Sequence, residues 1–166
     1  MSTRFQRITP FLWFDQQAEE AANFYVSVFP DSRIESISRY EKASAQATGQ
    51  KEGQVMLVDF VLDGQSIAAL NGGPVFRLSE ALSLVVHCQT QDEVDYYWTR
   101  LMEGTGDQKG QCGWLKDRFG LSWQIVPEAM FDYFRSGDAA RIARAHEAVM
   151  RMNKLDIAEI KRAAGD

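Results

Sequence analysis

The sequence predicts an α+β fold, and three observations carry that reading. Short β-prone runs with period-two alternation are joined by tight Asp-Gly and Asp-x-x-Gly turns. Amphipathic helical stretches, with apolar residues three and four apart, stand between some of these runs. The order strand, helix, strands then occurs twice, with opening strands about 74 positions apart. We read two βαβββ modules at about residues 5–74 and 80–127, the second with one strand weak or absent, and a helical tail over about 128–166. Two such modules make curved mixed sheets with helices outside and a cavity inside. The 166 residues fit one domain with a substantial core.

Ile8 to Phe14 is a short β-prone run with Pro10 tolerable near a strand start. Asp15 stands where a helix cap is wanted. Ala18, Ala21, Ala22, Tyr25, Val28 and Phe29 follow at helical spacing, with Glu19 and Glu20 near the positive helix end. Pro30-Asp31 ends that helix, and Arg33 to Tyr40 reads as a strand. Glu41 to Gly53 is polar with two glycines and reads as a mobile loop. Gln54 to Asp63 is the strongest strand. Val55, Leu57, Asp59 and Val61 take one face; Met56, Val58, Phe60 and Leu62 take the other. A carboxylate among apolar strand neighbours marks Asp59, because desolvation penalises an unpaired charge. Asp63-Gly64 turns the chain into Gln65–Leu70.

Leu82 to Cys88 is another strand. Thr90-x-x-Glu93 is a capping box for a helix that buries Val94, Tyr97, Trp98, Leu101 and Met102. Gly113–Leu115 and Leu121–Val126 then form a hairpin over the tip Lys116-Asp117-Arg118-Phe119-Gly120. Alternation puts Trp123 and Ile125 on the core face and Ser122 and Gln124 on the polar one. In the tail Asp138 caps a helix with the stripe Ala139, Ile142, Ala143, His146, Val149 and Met150. Asp156-x-x-Glu159 starts a second, with Ile157 and Ile160 available to pack. That tail covers either its own domain or a dimer partner.

Composition bounds the function. Apolar residues are 45% and charged residues 25%, as in ordinary soluble domains. A net charge of −5 argues against general nucleic-acid binding, which needs a basic footprint. The start lacks a long apolar run, so neither a signal peptide nor a membrane span is supported, and a cytoplasmic location is expected. In that compartment Cys88 and Cys112 are expected as a reduced pair.

The hairpin CGWLKDRFGLSWQIVP, with ITPFLWF, the AEEAANFY helix, VDFVLDGQ and the tail run MNKLDIAEIKRA, resembles the PhnB-like branch of the vicinal oxygen chelate superfamily. That superfamily holds glyoxalases, bleomycin-resistance proteins and extradiol dioxygenases. The branch is often labelled 3-demethylubiquinone-9 3-methyltransferase. The resemblance implies paired βαβββ modules around a cavity, and commonly a homodimer. It also implies a divalent metal held by one His, Glu or Gln from each of four strands. The corresponding places here offer Ile8, Thr9 or Pro10, then Ala68 or Ala69, then Ser83, and last Gln124. One amide does not hold a transition metal, which wants about four to six donors. No metal and no cofactor are therefore expected.

Four residues are candidates for lining the cavity: Asp59, His87, Trp114 and Gln124. His87 reads as a base or anion ligand if its face looks inward, and otherwise as a structural histidine bonded to backbone. An Asp59–His87 pair would give acid/base character. A cavity lined by Trp114 and Phe14 would favour binding over catalysis. The expected function is metal-independent binding of a small organic ligand, with the specific activity open. The alternatives are a 3-demethylubiquinone 3-methyltransferase-like enzyme, a metal-dependent lyase or oxygenase, and a structural dimer without ligand. Against methyl transfer, the first strand runs into Asp15-Gln16-Gln17 rather than a glycine-rich turn.

Overall fold

The computed structural model describes residues 6–106 and 109–166. The leader reading falls partly on residues 1–5, outside the described residues. The chain divides into two compact units, one ending at Leu78 and one starting at Ser79. Both are mixed α+β units.

The first unit runs β1 (Phe11–Phe14), α1 (Ala18–Val28), β2 (Arg33–Arg39), α2 (Lys42–Thr48), β3 (Val55–Leu62) and β4 (Gln65–Asn71). Its sheet has the order β1-β4-β3-β2, with β1 parallel to β4 and the other pairs antiparallel. Alternation sorts the side chains. Leu12, Phe14, Val58, Phe60, Ile67 and Ala69 are buried on one face beneath the buried stripe of α1. There the Tyr25 and Phe60 rings stack with centroids 6.3 Å apart. Trp13, Leu57, Asp59 and Leu70 lie on the opposite face and are half-buried.

Two local expectations are corrected here. The first helix is not capped by Asp15. Gln17 holds the cap position without a side-chain bond. The first N–H is met instead by Asn71 on β4, whose Oδ1 accepts from Ala18 N at 2.8 Å. Asn71 is buried and fully engaged: its Nδ2 donates to Val55 O at 3.1 Å, and its carbonyl accepts from Tyr40 Oη at 2.6 Å. The second correction concerns 41–53. Its first half is α2, started by a reciprocal Glu41/Ser44 capping box and ended by Gly49 at φ 73°. Alanine and glutamine favour helix strongly enough to outweigh the polar composition.

The second unit runs β5 (Ser83–Cys88), α3 (Gln91–Leu101), β6 (Trp114–Lys116), β7 (Ser122–Pro127), α4 (Glu128–Phe134), α5 (Ala139–Arg151) and α6 (Ile157–Ala164). The sheet order β5-β7-β6 repeats β1-β4-β3, again with the first pair parallel. Beside β6, on the side away from β7, an antiparallel bridge Lys109↔Leu115 stands where the first unit has β2. That is the weak strand of the second module. Thr90 caps α3 by accepting from Glu93 N at 3.2 Å, and Glu93 Oε2 accepts from Gln89 N at 2.6 Å. Val94 and Leu101 are buried, whereas Tyr97, Trp98 and Met102 are only half-buried.

The tail packs within its own unit. Asp138 and Asp156 cap α5 and α6 as read from sequence. The buried stripe of α5 is different: Ala145, Ala148 and Val149 face inward with Met152, while Ala143, His146 and Met150 are exposed. The stripe is rotated because α5 packs on both α4 and α6, so its inward arc follows Tyr133 and Ile160. The segment between α5 and α6 is stitched to the β6 hairpin. Cys112 N and Gly113 N donate to Met152 O and Asn153 O, each at 2.8 Å. Gly113 has φ 83°, and a Cβ there would lie 2.7 Å from Ile125 O and 3.2 Å from Leu155. No helix among the described residues is long and apolar enough to cross a membrane.

Candidate functional site

The open face of the second sheet gathers three of the four candidate residues. Opposite this face, Val86, Cys88, Leu115, Trp123 and Ile125 are buried, together with Val94 and Leu101 of α3. The parity of β5, β6 and β7 then sends Ser83, Val85, His87, Trp114, Lys116, Ser122, Gln124 and Val126 the other way. They form rows across the strands. Lys116, Ser122 and Ser83 are one; Trp114, Gln124 and Val85 are the next; Val126 and His87 are the third. Gln124 and His87 are thus diagonal neighbours across the parallel pair.

Gln124, His87 and Lys116 have definite partners, whereas the buried Ser122 Oγ has none among the described residues. Gln124 Nε2 donates to Ser83 Oγ at 2.9 Å. His87 Nδ1 lies 2.6 Å from Glu128 Oε1, and its ring sits 5.9 Å from that of Phe131. Lys116 hydrogen-bonds Glu80, and this holds the Glu80 carboxyl below the usual carboxylate range. Val85 remains 43% exposed. The face is therefore an open strip with an indole at one side and an imidazole at the other.

Asp59 belongs to the other sheet. It lies on the open face of the first unit, where its Oδ2 accepts from Ser36 Oγ at 2.7 Å. The carboxylate beside His87 is Glu128, which sequence reasoning missed. A signal for it exists: β5 and β7 run parallel in a register that pairs Cys88 with Pro127, so the residue after Pro127 emerges beside the end of β5. Phe14 is corrected too. It is buried against α1, and Phe11 and Trp13 are the aromatics of β1 on the open face.

The metal that the resemblance implies does not fit these residues. Ser83 and Gln124, the two ligand places of the second unit, are hydrogen-bonded to each other. In the first unit the corresponding strands bring Pro10 beside Ala68, whose N–H donates to Pro10 O at 3.0 Å. Among the described residues no three His, Cys, Asp or Glu side chains are grouped to hold an ion.

The hairpin tip is structural. Asp117 is 3% exposed. Its Oδ1 accepts from Phe119 N at 2.8 Å and Leu121 N at 3.0 Å, and its Oδ2 from Trp123 Nε1 at 2.8 Å. On the core face Cys88 is a free thiol, pushed up to about 12 mainly by burial and secondarily by Glu93.

Two mixed sheets with matching strand order, each with a helix on one face and an open second face, define an α+β protein built of two like units. Residues 6–126 match the 3-demethylubiquinone-9 3-methyltransferase family, and the chain belongs to that PhnB-like family. A PhnB protein from Bacillus cereus is 36% identical, with a TM-score of 0.60 over 74% of this chain and 99% of its own. A protein from Pseudomonas aeruginosa shares the fold at 16% identity and a TM-score of 0.56, over 75% and 98% of the two chains. No curated protein gives a significant match to the chain. The family match stops one residue before the end of β7, so α4, α5 and α6 lie beyond it.

Proposed function

We propose that the protein binds a small organic ligand on its open sheet faces, without a metal, as a homodimer in the cytoplasm. The observation that carries this reading is the strip of Trp114, Gln124, Val85 and His87, which turns an aromatic ring, an amide and an imidazole away from the core. A half-buried indole offers a planar ligand a large contact area, and a few placed polar groups fix its orientation. Asp59 and Trp13 give the first unit an open face of similar chemistry. Methyl transfer, which the family's description names, finds no glycine-rich turn after β1 for a nucleotide-type cofactor. Free thiols at Cys88 and Cys112 agree with a reducing compartment. Pairing is favoured by apolar side chains left on the open faces, with Phe11 56% exposed. Of the two alternatives for the tail, burial of Val149 and Ile160 within their own unit supports the cover for its own domain.

The test is a thermal-shift screen of small aromatic and carbonyl compounds. A ligand at ~100 times its Kd stabilises by about 2.7 kcal/mol. Hits should lose their shift in Trp114→Ala and Gln124→Ala, and hits indifferent to both changes refute the site. Elemental analysis should find no stoichiometric zinc, nickel or iron. One bound ion per chain, unaffected by Gln124→Ala, would overturn the donor analysis. Light scattering on the full chain at micromolar concentration should give the dimer mass, and a monomer mass rejects pairing.

A further inference from the structure

His87 and Glu128 stand where two parallel strands end side by side. The Nδ1 to Oε1 distance is 2.6 Å. A carboxylate oxygen only accepts hydrogen bonds, so a neutral imidazole in this contact carries its proton on Nδ1. Nε2 then presents a lone pair on the side of the ring away from Glu128. The ring is further held by Phe131, one turn along α4 from Glu128, and the Arg135 guanidinium lies 5.4 Å over the Phe131 ring. The His87 side chain is 56% exposed, so Nε2 is open to a ligand. Gln124 presents a second acceptor. Its Nε2 is engaged by Ser83, which leaves the amide oxygen for a ligand. Two acceptors and an indole on one strip select a partner with complementary chemistry: a planar molecule that brings hydrogen-bond donors.

We propose that Glu128 is a positioning residue that fixes His87 in its Nδ1–H tautomer, and that His87 Nε2 is the proton acceptor of the open face for planar ligands carrying an acidic O–H. This rests on the proposed ligand-binding reading of that face. When the ligand's O–H gives up its proton, the proton moves to Nε2, the electron pair stays on the ligand oxygen, and Glu128 balances the resulting imidazolium. The family match ends before Glu128, so the appended α4 completes the site. The tail is then part of the function and not only a cover for the core.

The experiment is long-range proton–nitrogen correlation NMR on the ¹⁵N-labelled full chain, at a pH where the histidines are neutral. With only two histidines, His146→Gln assigns both sets of signals. His87 should show a protonated Nδ1 and an unprotonated Nε2. Glu128→Ala should move it toward the Nε2–H tautomer that free imidazole side chains favour. A wild-type His87 with its proton on Nε2 overturns the proposal, and so does a tautomer that ignores Glu128→Ala. Should Glu128→Ala fail to fold, the wild-type tautomer alone decides. These readouts need no ligand, so they stand apart from the fate of the binding reading. Phenol and anisole then probe the ligand class. Phenol should shift the His87 Nε2 signal and anisole should not, and the phenol response should weaken severalfold in Glu128→Ala. Equal responses to the two probes, or none to either, overturn the acceptor role. Loss of the phenol response in Trp114→Ala, with the tautomer unchanged, supports ligand binding on this face.

Discussion

Asp117 is expected to be the residue on which the β6–β7 hairpin most depends. It is 3% exposed, and its carboxylate accepts from Phe119 N, Leu121 N and Trp123 Nε1 at 2.8–3.0 Å. A hydrogen bond to a charged group contributes roughly 1.5–3 kcal/mol net, and leaving a buried donor unmet costs about 1–3 kcal/mol. Three such bonds made by one group do not add, so Asp117→Ala should destabilise by about 4 kcal/mol. Asp117→Asn is more diagnostic. Its amide oxygen can keep the two backbone donors, but its NH₂ then faces the indole N–H, donor against donor. That variant should cost about 2 kcal/mol. Trp123→Phe removes the indole donor and with it the conflict. In a double-mutant cycle, Asp117→Asn should therefore be at least ~1 kcal/mol milder when Trp123→Phe is already present. The assay is urea unfolding followed by far-ultraviolet circular dichroism, with midpoint and slope both fitted. A cycle that closes within about 0.5 kcal/mol would mean that the Asp117–Trp123 bond is not made.

Three other expectations follow from the same geometry. Trp123 is 1% exposed, so Trp123→Ala should cost ~3–5 kcal/mol, while half-buried Gln124→Ala should cost under ~1 kcal/mol; equal, small midpoint changes would refute the face assignment. Native protein at pH 8 should titrate one thiol, Cys112, and two after unfolding, because Cys88 is fully buried and its thiol is pushed up to about 12; two fast thiols in the native state would refute this. Asp95 is held below the usual carboxylate range by Lys154 first and by Gln91 next. A depressed folded value means that this link stabilises above the unfolded pKa of about 3.9 and is lost as pH falls through the lower folded value. Hydrogen exchange in α6, taken relative to the intrinsic rate at each pH, should therefore be unchanged from pH 7 to 5 and should rise only below about pH 4, more gradually in Asp95→Asn. A rise already near pH 6 would assign the tail's docking to another group.

The fold was legible where local chemistry and burial agree. The strand Val55–Leu62 alternates cleanly, and its buried residues Val58 and Phe60 are those that the sequence put on one face. The Asp63-Gly64 turn was equally plain, and both residues have positive φ, as a tight hairpin requires. Legibility failed where the partner comes from a distance. The α1 cap is supplied by Asn71, more than fifty residues away, and no local pattern around Asp15 reports it. The buried arc of α5 spans fewer residues than its apolar stripe suggests, because two other helices define it. Within the site, parity alone put Ser83 and His87 on one face and Cys88 on the other. It could not supply the partner of His87, because which carboxylate meets an imidazole depends on strand register and on where the chain turns after β7.

That last point explains why Glu128 falls where it does. A strand that ends beside its parallel neighbour delivers its next residue to the neighbour's C-terminal end, and here the next residue opens α4. Pro127 cannot donate a ladder bond, so the strand stops there and the chain turns into helix. The helix is held by its own core: Tyr133 packs with Ala145, Val149, Leu155 and Ile160, and the α5–α6 link is tied to Gly110, Cys112 and Gly113. Glu128 is thus anchored from two sides, by the sheet through Pro127 and by the tail core through α4. A carboxylate held that way orients a ring better than one on a free loop. If the tail served only to cover apolar surface, its first residue could be any helix former. Glu128→Gln should then leave both folding and the His87 tautomer untouched. The geometry predicts that folding survives and the tautomer balance does not, because a glutamine can turn either its oxygen or its NH₂ toward Nδ1.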